Sequence, residues 1–248
     1  MGKIRKPFQG VLNIIRFNWH FYVIAACVLI AALLFVCTID TAANSYIVVF
    51  ITLLVLSTLL SLLASLYIYD FSDLYELKWI RKNEKDAFIV NINAGFDETS
   101  ALLNVLFANA ELKVLDFYNP EKHTEVSIKR ARKAYPPYIG TETIEAIDLK
   151  LPSNSADKII VTLAAHEIRN VEERILFFKE LQRIIKPEGE IYVTEHLRDL
   201  PNFLVYTIGF LHFYSKQNWL NLFQHSNLIV QEEVKNTPFI STFILIKK

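Results

Sequence analysis

The chain has 248 residues, enough for one large domain or two smaller units. Its 26 Lys and Arg balance 26 Asp and Glu, so it lacks the basic excess that a nucleic-acid partner demands. Both cysteines, Cys27 and Cys37, fall in one apolar run; ten positions apart on one helix they neither form a disulfide nor supply a Cys/His zinc site, and no metal is expected.

Taken in chain order, the hydrophobic residues come first. Residues 21–39, FYVIAACVLIAALLFVCTI, carry no charge, and Asp40 interrupts them. Residues 45–69 again carry none, and Asp70 ends the run. About 20 apolar residues suffice for a helix to cross the hydrocarbon core. The short link DTAAN predicts an antiparallel hairpin. A cleaved signal peptide followed by a core helix is the alternative, with Ala42 and Ala43 as small residues near a cleavage point. The second run is too long and too apolar for an ordinary core helix.

Lys3, Arg5, Lys6 and Arg16 precede the first run, and Lys78, Arg81, Lys82 and Lys85 follow the second, while the hairpin tip has no basic residue. The positive-inside rule then puts both ends in the cytoplasm. The expected organisation is a basic cytoplasmic N-terminus over 1–20, two transmembrane helices over 21–69, an interfacial linker over 70–85 and a soluble domain over 86–248. The aromatic spacing of YDFSDLYELKWI, residues 69–80, suggests a helix lying along the membrane surface.

From residue 86 short apolar runs alternate with amphipathic stretches of helix length. AFIVNI, KVLDFY, TIEAID, KIIVTLA and GEIYVTEH read as strands. ETSALLNVLFANA, EKHTEVSIKRARKAY and EERILFFKELQRIIK read as helices between them. Such alternation predicts an α/β fold, a doubly wound parallel sheet covered on both faces. LIVQEEVKN and TPFISTFILIKK, divided only by a turn, predict a closing hairpin whose last strand runs antiparallel.

The block from Asp148 to His196 is the most specific stretch. It holds an acid, Leu-Pro, a short loop, an Asp, a buried strand, a His, then a helix and Lys186-Pro187-Glu188-Gly189 leading into a final buried strand. This pattern, with the C-terminal hairpin, resembles the class I S-adenosylmethionine-dependent methyltransferases over residues 86–248. The resemblance implies a Rossmann-like, mostly parallel seven-stranded sheet of order 3-2-1-4-5-7-6 with strand 7 antiparallel. It also implies S-adenosylmethionine as cofactor.

The first loop departs from the family. Where an acid and Gly-x-Gly-x-Gly are usual, VNINAGFDETS has Asn91, Asn93, Gly95 and Asp97, with one glycine. Asn and Asp tolerate left-handed backbone, so the turn can still form. The resemblance implies cofactor contacts at Asn91, Asn93, Gly95, at Asp116 ending strand two (ribose hydroxyls), and at Asp148 ending strand three (adenine). His166 and Glu167 after strand four, and His196 ending strand five beside Glu195, are the catalytic candidates; structural capping or packing is the alternative for each. His166 is the preferred proton acceptor. His212 lies in an apolar segment, 203–214, read as a lid or a membrane contact. KRARK, residues 129–133, reads as a solvated helix face, or else as a contact for anionic lipid. The function expected is a membrane-anchored methyltransferase whose partners are the lipid bilayer and a small, lipophilic acceptor. The alternative is a catalytically degenerate binding or scaffold protein on the same fold, which the glycine-poor loop favours.

Overall fold

The computed structural model describes residues 5–83, 86–123 and 125–248. Lys3 and Lys85, two of the residues that orient the hairpin, lie outside the described residues. Helix α1 spans Gln9–Phe17, α2 Trp19–Thr38 and α3 Asn44–Leu66. Mean hydropathy reaches 2.7 in α2 and 2.8 in the helical run Asn44–Glu76. None of the first window and 6% of the second is buried, unlike the core helix of a soluble protein. By length and composition both can cross a bilayer.

The stretch after α3 is not a helix laid along a membrane surface. A π-helical turn, Tyr67–Phe71, is followed by a 3₁₀ turn, Asp73–Glu76, and Leu77 at φ 53° redirects the chain. Leu77, Trp79 and Ile80 are then buried with Ile89, Leu103, Phe107, Ile160, Tyr192 and Ile244. The reason is geometric: one face of the central sheet lacks a covering helix there, and these three side chains supply the cover. Arg81 fixes the segment, its backbone N–H donating to Tyr192 Oη at 3.1 Å and its guanidinium to Glu190 at 2.8 Å.

The remainder is one sheet and its helices. The strands are β1 Phe88–Asn93, β2 Glu111–Asp116, β3 Glu142–Thr143, β4 Ala156–Thr162, β5 Ile185–His196, β6 Leu228–Thr237 and β7 Ile240–Lys247. The helices are α4 Ser100–Leu106, α5 Val126–Ala134, α6 Val171–Ile184, α7 Leu200–Tyr206 and α8 Lys216–His225. The order is β3-β2-β1-β4-β5-β7-β6, with β7 antiparallel to both neighbours. Central strands are Val- and Ile-rich because both faces are buried. Phe177, Phe178 and Leu181 of α6 and Trp219 and Phe223 of α8 cover one face; α4 and the 77–80 segment cover the other.

Among the boundaries that differ from the sequence reading, two bear on the expected site. Lys186–Gly189 sits inside β5 as an irregularity, since Ala156 pairs with Ile185 and Lys158 with Glu190. The third strand is not 143–148 but the two residues Glu142–Thr143 at the sheet edge. Ile144, Ala146 and Leu149 beyond it turn inward to the core, an alternation that mimics a strand. Asp148 therefore does not end a strand; it is exposed, in a bridge with Glu145, and accepts the Lys150 N–H at 3.1 Å.

Candidate active site

The parallel register brings Asn93 of β1 beside Asp116 of β2, and Thr162 of β4 beside Thr194 of β5. Strand order reverses between β1 and β4, where ligands of doubly wound sheets bind. A cavity of about 1020 Å³ opens beside this point, lined by Asn93, Thr162, His166, Glu167, His196 and His212 from the sheet rim. That volume lies at the top of the range of roughly 300–1,000 Å³ for small-molecule sites. The opposite wall is α1 with the hairpin, through Asn13, Tyr22, Ala25, Leu54, Ser57, Ser61 and Tyr69.

Helix α1 is held over the rim by contacts distant in sequence. Asp70 Oδ1 and Oδ2 accept the N–H groups of Gly10 and Val11, each at 2.8 Å, satisfying two of the donors that a helix start leaves free. A Cβ on Gly10 would lie 2.3 Å from Tyr69 Cβ, so the glycine permits the close approach. Arg5 donates to Glu98 at 2.6 Å and lies 3.5 Å above the Tyr75 ring. Residues 5–17 are thus part of the domain and not a free basic tail.

The proposed cofactor residues divide by environment. Asn91 is buried in β1 and donates to Thr99 Oγ1 at 3.0 Å and Ser100 Oγ at 2.8 Å, tying the strand to the start of α4. Asn93 lines the cavity, and its Oδ1 accepts the Gly95 N–H at 3.0 Å, which folds the loop. Gly95 has φ +95°, and a Cβ there would meet Arg132 Nη1 at 2.8 Å and Tyr118 Cδ2 at 3.0 Å. The loop's one glycine occupies a position where glycine is favoured. Asp116 is buried; its Oδ1 accepts the Tyr118 N–H at 2.9 Å and its Oδ2 takes Arg132 Nη1 at 2.5 Å. Arg132 also stacks on Tyr118, 4.3 Å from its centroid. Of the five expected cofactor residues Asn93 lines the cavity, whereas Asn91, Gly95, Asp116 and Asp148 are not among its lining residues.

KRARK is accordingly more than a solvated face. Arg132 reaches Asp116, and Arg130 donates to the Phe17 carbonyl at 2.6 Å. Both point inward because α5 lies between the β2 loop and α1.

Of the catalytic candidates, His166 and Glu167 meet, and His196 lines the same cavity with partners of its own. His166 follows β4 in the 3₁₀ turn Ala165–Glu167. Its Nδ1 is 2.6 Å from Glu195 Oε2 and its Nε2 is 3.2 Å from Glu167 Oε1. Burial opposes charge on this ring, but Glu195 and Glu167 outweigh it and raise the pKa to about 10. Burial pushes Glu167 up, yet His166 and His212 dominate and hold it well below the usual carboxylate range. The two carboxylates favour the protonated form of His166, which weighs against the role of proton acceptor expected from the sequence.

His196 is the opposite case. Asn202 Nδ2 donates to Asp199 Oδ1 at 2.9 Å and to the Phe239 carbonyl at 3.0 Å, so its Oδ1 faces His196 Nδ1 at 3.0 Å. Nδ1 therefore carries the proton. Nε2 is left to accept from Tyr69 Oη at 2.8 Å. Phe213 stacks on the ring at 4.7 Å. Burial lowers the pKa to about 4, against the Asn202 hydrogen bond, with His166 adding to the fall. Burial favours the neutral form of His196, and both His196 and Tyr69 line the cavity.

The residues present fit S-adenosylmethionine. Thr162 Oγ1 and Asn13 Nδ2 are buried at the cavity wall without a partner among the described residues, and such groups call for a polar ligand. Asn93, the register partner of Asp116, lines the same cavity, and Arg132 occupies one oxygen of the buried Asp116 carboxylate. Arg132, Tyr69, Asn202 and Asn13 were not singled out from sequence as site residues; the partners of Tyr69 and Asn13 lie 127 and 122 residues away.

The profile of the family described as "Methyltransferase domain" matches residues 108–193. No curated protein matches the chain. Among solved structures, a protein of Pyrococcus horikoshii OT3 is 14% identical, with a TM-score of 0.50 over 71% of this chain and 86% of its own. A SAM-dependent methyltransferase from Aquifex aeolicus is 14% identical, TM-score 0.48, over 64% and 81%. A putative type 11 methyltransferase from Sulfolobus solfataricus is 19% identical, TM-score 0.46, over 66% and 85%. At such identities the structural likeness speaks for the fold alone. The matched methyltransferase domain and the sheet order together support a class I methyltransferase, with S-adenosylmethionine as its cofactor.

Proposed function

We propose that this chain is a membrane-anchored S-adenosylmethionine-dependent methyltransferase that modifies a small lipophilic acceptor. One observation carries the reading. The cavity at the strand rim is continuous with a groove along the hairpin, where Tyr22 and Ala25 of α2 and Leu54, Ser57, Thr58, Ser61 and Ser65 of α3 line it. An acceptor with an apolar tail in that groove would hold its polar end near His196 and Tyr69. The segment 203–214 supports both of its expected roles: Tyr206, His212 and Phe213 line the cavity, while Phe203, Leu204, Ile208 and Leu211 are exposed for contact with lipid.

S-adenosylmethionine supplies an electrophilic methyl group when bound. The protein's part is to align the acceptor, exclude water and accept its proton. Neutral His196, reached through the Tyr69 hydroxyl, is the group suited to the last task. The Arg132–Asp116 pair favours a second reading, a degenerate methyltransferase fold that binds without catalysis.

The test uses the full chain in lipid nanodiscs with S-adenosylmethionine labelled in its methyl group. Label passing to an organic-extractable product from membrane lipids supports the proposal. Cofactor binding without transfer favours the second reading, and absence of binding sinks both. The proposed topology, with both termini cytoplasmic, predicts opposite sides for reporters inserted at Ala43 and fused at Lys248.

A further inference from the structure

We infer that His166, Glu167 and His212 form a binding site for a divalent first-row transition metal of the zinc type, open to the cavity. The inference goes beyond methyl transfer and does not depend on it. These residues come from two separate elements, the turn after β4 and the end of the 3₁₀ segment Thr207–His212. Each offers one ligand atom, and the atoms all lie within 4.8 Å of one another.

The orientation of the two rings is the stronger argument. His166 Nε2 lies 3.2 Å from Glu167 Oε1, and His212 Nε2 lies 3.8 Å from the same oxygen. Ligands about 2.0–2.2 Å from one tetrahedral ion stand somewhat over 3 Å apart, so only small movements are needed. Each ring meets a further carboxylate through its other nitrogen: His166 Nδ1 with Glu195 at 2.6 Å, His212 Nδ1 with Glu125 at 3.2 Å. Metal-binding histidines usually donate their second N–H to a carboxylate, which fixes the tautomer and leaves the other nitrogen for the ion. That pattern occurs twice here and converges on one oxygen; on His166 the ion takes the place of the Nε2 proton facing Glu167, which is released on binding.

The chemistry of the set is also selective. Two imidazoles and a carboxylate suit zinc, iron, copper or nickel better than magnesium or calcium, whose ligands are oxygens. His166, Glu167 and His212 all line the cavity, so a free coordination position would face an acceptor's oxygen, nitrogen or sulfur. Arg169 is the competitor. Its Nη2 is 2.6 Å from both nitrogens of His212 and 3.5 Å from Glu125. Its side chain is half exposed and its Nη1 donates to the His212 carbonyl at 2.8 Å, so a bound ion has to displace only the Nη2 contacts.

The test is titration of the full chain in detergent, freed of metal by chelation, with Co²⁺ followed by Zn²⁺. We expect one equivalent of cobalt with the visible band of a low-coordinate site, displaced by zinc. Glu167→Gln and His212→Ala should abolish the band. Glu195→Gln and Glu125→Gln touch no ion directly and should weaken affinity about ten- to hundredfold, an effect that a merely structural ion pair does not give. Thermal unfolding of each variant separates loss of the site from loss of the fold. Absence of stoichiometric uptake by the native chain overturns the inference, as does uptake that folded His212→Ala and Glu167→Gln variants retain unchanged.

Discussion

Arg132 Nη1 lies 2.5 Å from Asp116 Oδ2 and closes the carboxylate that ends β2. The pair is asymmetric, since Asp116 is buried while the arginine side chain is 31% exposed and able to move. Arg132 competes with any ligand for this carboxylate. Arg132→Ala should therefore tighten S-adenosylmethionine binding by up to about tenfold, or 1.4 kcal/mol. Asp116→Ala should weaken it by about 1.5–3 kcal/mol through lost charge-assisted hydrogen bonds. Isothermal titration of the full chain measures both; weaker binding by Arg132→Ala would make the arginine a clamp on the ligand.

Gly95 sits under the same arginine. At φ +95° a side chain is strained, and its Cβ would press on Arg132 and Tyr118. Gly95→Val should cost about 1–3 kcal/mol of stability and at least as much cofactor affinity as Asp116→Ala. Thermal unfolding with and without S-adenosylmethionine checks this. A variant as stable as the native chain, with equal affinity, would remove the loop from the site.

The sheet and the hairpin were legible because their signals are local. Strands β4 and β5 each carry a short buried apolar run, Ile159–Val161 and Ile191–Val193, and the two long apolar stretches, 21–39 and 45–69, are uncharged. The state of His166 was not legible, because it depends on Glu195, 29 residues away. The burial of Leu77, Trp79 and Ile80 was also missed: an aromatic, apolar stretch next to a long apolar helix has the same composition whether it meets lipid or the back of a sheet. Arg132 within KRARK looked like any exposed basic run, since nothing near it in sequence announces Asp116. The glycine-poor loop was partly legible, because its turn is local: Asn93 makes the turn that Gly95 completes.

Asp70 marks the end of an apolar run in sequence, yet it caps the start of α1 some 60 residues earlier. Asp70→Ala frees two helix N–H groups in a part-buried position and should cost about 0.5–2 kcal/mol. Hydrogen exchange should rise in residues 9–17 before the sheet is affected. Unchanged protection there would show that α1 is held by packing alone.

His196 gives the pH dependence. Its folded pKa is depressed to about 4, against about 6.5 for an unperturbed imidazole. Between these values the unfolded chain binds a proton that the folded chain refuses. Stability from this group is therefore complete above about pH 6.5 and is lost as pH falls toward 4. The melting temperature of the native chain should fall across that window, and His196→Gln, which keeps a polar group without titrating, should flatten the fall. The same substitution tests chemistry. If His196 takes the acceptor's proton through Tyr69, turnover should drop roughly a hundredfold or more while cofactor affinity is kept, and Tyr69→Phe should lose turnover in the same direction. A His196→Gln chain that keeps its turnover would leave the cavity with alignment as its only contribution, with the histidine serving to hold Asn202 and Tyr69 in place.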